Sequence, residues 1–223
     1  MLFTQLFSVF GSGLLALGGF PGVSYLSFAT AGIVLQNGFS SALQSGTSVV
    51  DDLTSGFLEK ELVTPVNRAA ILLGRLLTDA FRVVVQSAII LALAILLGAK
   101  IVTGIPGVIL IFVIVAFFGL AWSGISLTIG LRTKSAETVF ALGGILTFPL
   151  LFMSSALIPT SLMPKWMQTV SNLNPITYAV NAVRALVLTG FVWSKILEAL
   201  GFIGVIAVVT LSATLYLYRK VVS

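Results

Sequence analysis

Five of the seven acidic side chains and four of the twelve basic ones fall in one stretch, DDLTSGFLEKELVTPVNRAAILLGRLLTDAFR. Asp51, Asp52, Glu59, Glu61 and Asp79 are interleaved there with Lys60, Arg68, Arg75 and Arg82. Such groups can pair with one another or grip a charged surface. Catalysis would need more, and the chain has neither histidine nor cysteine. That removes Ser-His and Cys-His nucleophile systems and the usual ligands of a zinc site, so neither an enzyme nor a metal centre is expected. No Gly-Lys pair occurs either, so the phosphate-cradling G-x-x-x-x-G-K-[ST] loop is missing and no cofactor is expected in the chain.

The spacing predicts how this stretch is built. Thr54 or Ser55 can cap a short helix through Phe57 to Val63, because a side-chain oxygen satisfies free N–H groups there. Thr64-Pro65 ends it, since a residue before proline avoids the helical region. Asn67 then caps a second helix, on which Arg75 can pair with Asp79 and Asp79 with Arg82. The short helix is amphipathic, with Phe57, Leu58, Leu62 and Val63 against Glu59, Lys60 and Glu61. It is either an ordinary solvated surface helix or a docking surface for a cytoplasmic protein.

The elements around it must be membrane spans. Hydrophobic residues make up 58% of the chain and charged ones 9%, where a soluble domain carries about 25% charged residues. The apolar runs give about six segments: 2–17, 25–50, 83–98, 107–129, 138–157 and 196–218. Helices are expected, because a span must satisfy its backbone groups internally and these runs lack the alternation of barrel strands. The fold class is therefore an all-α integral membrane bundle of six spans in one domain, 1–223. The run 2–17 is short for a span, which suggests a truncated first span and a native start upstream.

Six spans place both ends on one side. Lys60, Arg68, Arg75, Arg82, Arg132, Lys134, Arg219 and Lys220 then lie on one side, against Lys100, Lys165, Arg184 and Lys195, which makes the first side cytoplasmic. This rule also explains the net charge of +5 without nucleic acid. Tyr216 and Tyr218 fit an inner aromatic belt, and Trp166 and Trp193 an outer one.

Polar residues inside the spans mark further sites. Gln36, Ser40 and Gln44 recur every fourth position, with Asn37 and Ser41 beside them, so one helical face is polar. Such a face either hydrogen-bonds neighbouring helices or lines a path. Gly119, Ser123, Gly124, Ser126, Gly143 and Gly144 let helices approach closely, within the chain or against a second copy. Pro149 is expected to kink its span. The external segment from Ile158 to Thr189 is too apolar for a solvated loop and reads as two short helices dipping into the outer leaflet. Arg184 on the second would snorkel to headgroups or meet an anionic substrate. No ionisable residue falls near a span centre, since Glu137 and Glu198 sit at span ends, which disfavours ion-coupled transport.

Two of these segments carry a resemblance. Gly56-Phe57-Leu58-Glu59, Thr64-Pro65-Val66-Asn67-Arg68 and Leu73-Gly74-Arg75 resemble the segment after the second span of type 2 ATP-binding-cassette exporter permeases. Pro159, Leu162-Met163-Pro164-Lys165-Trp166 and Asn174-Pro175-Ile176-Thr177-Tyr178, followed by Arg184 and Gly190, resemble the external pattern of daunorubicin-resistance-type permeases. The resemblance covers nearly everything from Tyr25 onward; each motif is weak alone, and both in place are fairly specific. The front departs from it, because the interfacial helix and complete first span expected there read as missing or shortened.

The resemblance implies a multi-pass permease of the plasma membrane, contacting lipid. Gly56, Phe57, Leu58, Glu59, Glu61, Pro65, Arg68 and Arg75 would form a coupling helix segment that docks a separate ATPase subunit, where ATP and Mg would bind. A second permease chain, forming a homodimer, is implied too. Pro159, Pro164, Trp166, Asn174, Pro175 and Arg184 would belong to an external re-entrant hairpin closing the exit, and Gln36, Asn37, Ser40 and Gln44 would line the path. A hydrophobic drug or lipid is the first substrate class. Polysaccharide export, or a passive channel or scaffold without an ATPase, is the competing reading.

Overall fold

The computed structural model describes residues 13, 15–20, 22–56 and 68–221. Among them all regular structure is helical: α1 (Tyr25–Thr54), α2 (Arg68–Leu96), α3 (Gly104–Thr133), α4 (Ala136–Phe152), a 3₁₀ turn (Thr160–Leu162), α5 (Lys165–Leu173), α6 (Pro175–Leu188) and α7 (Trp193–Val221). Residues 15–17 are helical as well, but most of the expected first span lies outside the described residues.

The ends of these helices follow local chemistry. Gly98 takes a positive φ of 97° after α2, and its N–H bonds to the Ile95 carbonyl. This left-handed stop favours glycine. Lys134 makes the same turn after α3 with φ 53°, and Ser135 then caps α4 by accepting the Thr138 N–H at 3.2 Å. Asn174 caps α6 by accepting the Ile176 N–H at 3.0 Å, and Pro175 occupies the first helical position, where no N–H is needed. Thr54 and Ser55 finish α1, the Ser55 N–H and the Thr54 hydroxyl both bonding back to the Asp51 carbonyl; the short helix through Phe57 to Val63 that they were expected to cap lies outside the described residues. α1 therefore carries Asp51 and Asp52 within it. α4 stops at Phe152, short of the predicted 157, three residues after Pro149.

α3 is the hub, packing against α1, α2, α4, α6 and α7. Around it Phe39 sits edge-on to Phe118 and Trp122, at 4.9 and 4.7 Å between centroids, while Phe118 and Trp122 stack at 5.3 Å. The Trp122 indole N–H donates to Thr147 of α4 at 3.3 Å. A second apolar cluster at the other end of the bundle joins Val49, Val50, Leu72, Leu76, Leu127, Leu131, Val139 and Tyr218. Tyr218 is 3% exposed, so it belongs to this core and not to an aromatic belt; Tyr216 beside it is exposed.

The small residues let backbones touch. A Cβ at Gly46 would lie 2.6 Å from the Ser126 carbonyl oxygen, and one at Gly130 would lie 2.6 Å from that of Gly46. Gly119 meets Val83 of α2 and Gly124 meets Thr210 of α7, which makes both intrachain packing sites. Hydroxyls close the α3–α7 contact, with Thr210 donating to the Ala121 carbonyl and Thr214 to that of Gly124, each at 2.9 Å.

Among the described residues three helices are long and apolar enough to cross a membrane: Ala70–Leu96 within α2, Gly104–Thr133, and Trp193–Tyr218 within α7. α4 and α6 are apolar but shorter. α1 has 30 residues, about 45 Å. It is long enough, and only its polar side chains keep it from the apolar set.

Candidate functional site

Three groups of residues singled out by the sequence can be followed in the fold. The first is the base of the α1–α2 hairpin. Of the expected coupling residues, Phe57, Leu58, Glu59, Glu61 and Pro65 lie outside the described residues. Gly56 is described and has φ 69°, Arg68 opens α2, and Arg75 lies about two turns further along. The intrahelical pair of Arg75 with Asp79 does not form. Arg75 crosses to α1 and pairs with Asp52, while Asp79 accepts a hydrogen bond from Ser45 of α1. Arg82 stays near Asp79, at 3.9 Å. The helices pack closely enough that a cross-helix reach is shorter than bending back along one surface.

Asp79 is 4% exposed and lies inside the apolar span Ala70–Leu96. The expectation was that no ionisable residue falls near a span centre, and Asp79 lies four residues from Val83, the middle of this helix. The reading failed because it began that span at 83, after the last charge, when the helix runs unbroken from Arg68.

The second group is the polar side of α1. Gln36, Ser40 and Gln44 are all exposed on the surface of the chain, in line with Ile33 and Asp51. Asn37 and Ser41 do not share that surface. Ser41 is buried, Asn37 is half-buried, and neither the Asn37 amide nitrogen nor the Ser41 hydroxyl has a hydrogen-bond partner among the described residues. The polar face thus splits into an outward row and an inward row.

The third group is the segment between α4 and α7. Two short helices form, as the pattern predicts, but they differ. α5 is mostly exposed, with Pro164 before it and Trp166 61% exposed on it. α6 is buried against α1, α3 and α7. Pro159 is buried and packs on Gly18, so that a Cβ there would lie 2.8 Å from its ring. The Asn174 amide caps α6 and also donates to the Leu150 carbonyl at 2.5 Å, tying α6 to α4.

Arg184 neither snorkels nor stands free for a substrate. It is 5% exposed, donates Nη2 to the Ser155 carbonyl at 2.6 Å, and lies 3.7 Å over the Phe28 ring. Ser155 in turn donates to Asn181 at 2.8 Å. The cation therefore meets the carbonyls that follow the early end of α4, and the aromatic face of α1. No signal in the sequence placed Ser155 or Phe28 next to it, since both contacts are distant along the chain.

The sequence profile described as ABC-2 type transporter matches residues 1–188. The daunorubicin resistance ABC transporter permease protein DrrB1 of Streptomyces coeruleorubidus is 32% identical over 88% of this chain and 69% of its own length. A putative transport permease, ycf38, of Cyanophora paradoxa is 32% identical over 73% of this chain. The probable doxorubicin resistance ABC transporter permease protein DrrC of Mycobacterium tuberculosis is 29% identical over 81% of it. The chain spans 56% of ycf38 and 66% of DrrC. No solved structure matches it.

Proposed function

Because the chain belongs to the ABC-2 type transporter family, we propose that it is the multi-pass membrane permease subunit of an exporter driven by a separate ATPase. Its cargo is a hydrophobic drug or a lipid-like molecule moved outward, as the drug-resistance names of two relatives suggest. ATP and Mg bind in the ATPase, and segment 51–75 docks it.

One observation carries this reading. Gln36, Ser40 and Gln44 stand exposed on α1, whereas α2 and α7 expose large apolar side chains such as Leu77, Phe81, Ile89, Val205 and Val208. Polar side chains in a span avoid lipid and turn to another helix or to a water-lined cavity. A second copy of the chain, set against this row, would cover it and enclose a path between the two. On this reading α1, α2, α3, α4 and α7 are spans, with a further one in 2–17, and α5 and α6 form a re-entrant hairpin at the exit. Closure of the ATPases draws on segment 51–75 and opens the paired permeases outward.

The test is reconstitution of the permease with its ATPase and a panel of drugs and lipids. ATP-dependent transport is expected, and Gln36→Ala, Ser40→Ala and Gln44→Ala should change which compounds move. If those variants altered only expression, the row would not line the path. Charge reversal at Glu59 and Glu61 should weaken ATPase co-purification; unchanged association and transport would sink the docking assignment.

A further inference from the structure

The α1–α2 hairpin is fastened at two heights just inside the segment assigned to ATPase docking. At the outer height Arg75 of α2 pairs with Asp52 of α1. Deeper in the bundle, Ser45 of α1 donates to the buried carboxylate of Asp79, with Arg82 at 3.9 Å. Asp52 and Ser45 are two turns apart, about 10 Å along the axis. Between them Val49 and Val50 share an apolar cluster with Leu72 and Leu76.

These contacts differ in kind from those that join α3 to α7 and α1 to α3. α3 and α7 are joined by neutral hydroxyl-to-carbonyl bonds, and α1 and α3 by aromatic packing and close backbone approach. Apolar packing is non-directional and tolerates small slips between helices. A charge-assisted bond is directional, and a buried carboxylate that loses its donor is left uncompensated. Burying ions is a costly way to gain stability alone, whereas fixing register is a use such groups serve well. Two directional contacts at different heights fix both sliding and rotation, which one contact does not.

We propose that Asp52–Arg75 and Ser45–Asp79 lock α1 and α2 into one lever. A pull on the docking segment then moves the Gln36–Ser40–Gln44 row together with α2. These are positioning residues, and the inference rests on the docking assignment above.

The test uses the permease and its ATPase together in proteoliposomes, reading substrate moved per ATP hydrolysed. Arg75→Asp or Asp52→Arg alone should lower this ratio by about tenfold, and the double exchange should restore it to within about twofold. The chain has no cysteine, so Asp52→Cys with Arg75→Cys can be joined by a reducible bis-methanethiosulfonate linker. The joined protein should be coupled and the same protein after reduction should not, which separates the effect from misfolding. A ratio unchanged in the single variants, or unrestored by both exchange and linker, would overturn the lever. Failure of the docking assignment shows separately, as an unmodified permease that does not bind the ATPase.

Discussion

Arg184 places its charge on backbone carbonyls and a ring, with no carboxylate in contact among the described residues. Hydrogen bonds from a charged donor contribute about 1.5–3 kcal/mol. Arg184→Ala should therefore destabilise the protein by about 2–3 kcal/mol, measured as a lower unfolding temperature in detergent. Arg184→Lys should recover little, because an ammonium cannot reproduce the guanidinium fork or its stacking on Phe28. The sequence supplied the residue but not its setting. Composition and spacing report what is near in sequence, and Ser155 and Phe28 reach Arg184 only through the fold. Asp79 teaches the same lesson, since its local spacing favoured Arg75 and the packed helices gave it Ser45.

For the helices themselves, what could be read was that the apolar runs from Tyr25 onward are helical, because continuous apolar runs have few alternatives in lipid. The boundaries were harder. Charges on α2 look like loop residues until a neighbouring helix pairs with them, and hydroxyls at the end of α1 look so until they bond back to their own helix. Close approach was only partly legible, since Gly46 and Gly130 are not distinguishable in sequence from other glycines. Gly46→Ala would press a methyl into the Ser126 carbonyl, where overpacking costs about 1–3 kcal/mol. Gly144→Ala meets only the Phe148 ring at 3.6 Å, ordinary contact, and should be near neutral. Thermal unfolding of the two variants side by side checks the contrast. Asn174→Ala should cost about 1 kcal/mol from the cap and also free α6 from Leu150, raising hydrogen exchange in α6.

At the level of the whole molecule, the outward row on α1 predicts how copies meet. Ser40→Cys and Gln44→Cys, in a chain otherwise free of cysteine, should cross-link two permeases in native membranes, whereas Val205→Cys on the exposed surface of α7 should not. Equal cross-linking at all three would argue against a dimer built on α1. The bundle also sorts its own chromophores. Trp122 is 3% exposed, wedged between Phe39 and Phe118 and bonded to Thr147, while Trp166 and Trp193 are about equally bare at 61% and 60%. A lipid-borne quencher can therefore darken two of the three indoles and leave the third glowing. With both outer tryptophans replaced by phenylalanine, the remaining emission would report on the α3–α4 contact alone, an optical gauge already seated at the centre of the protein.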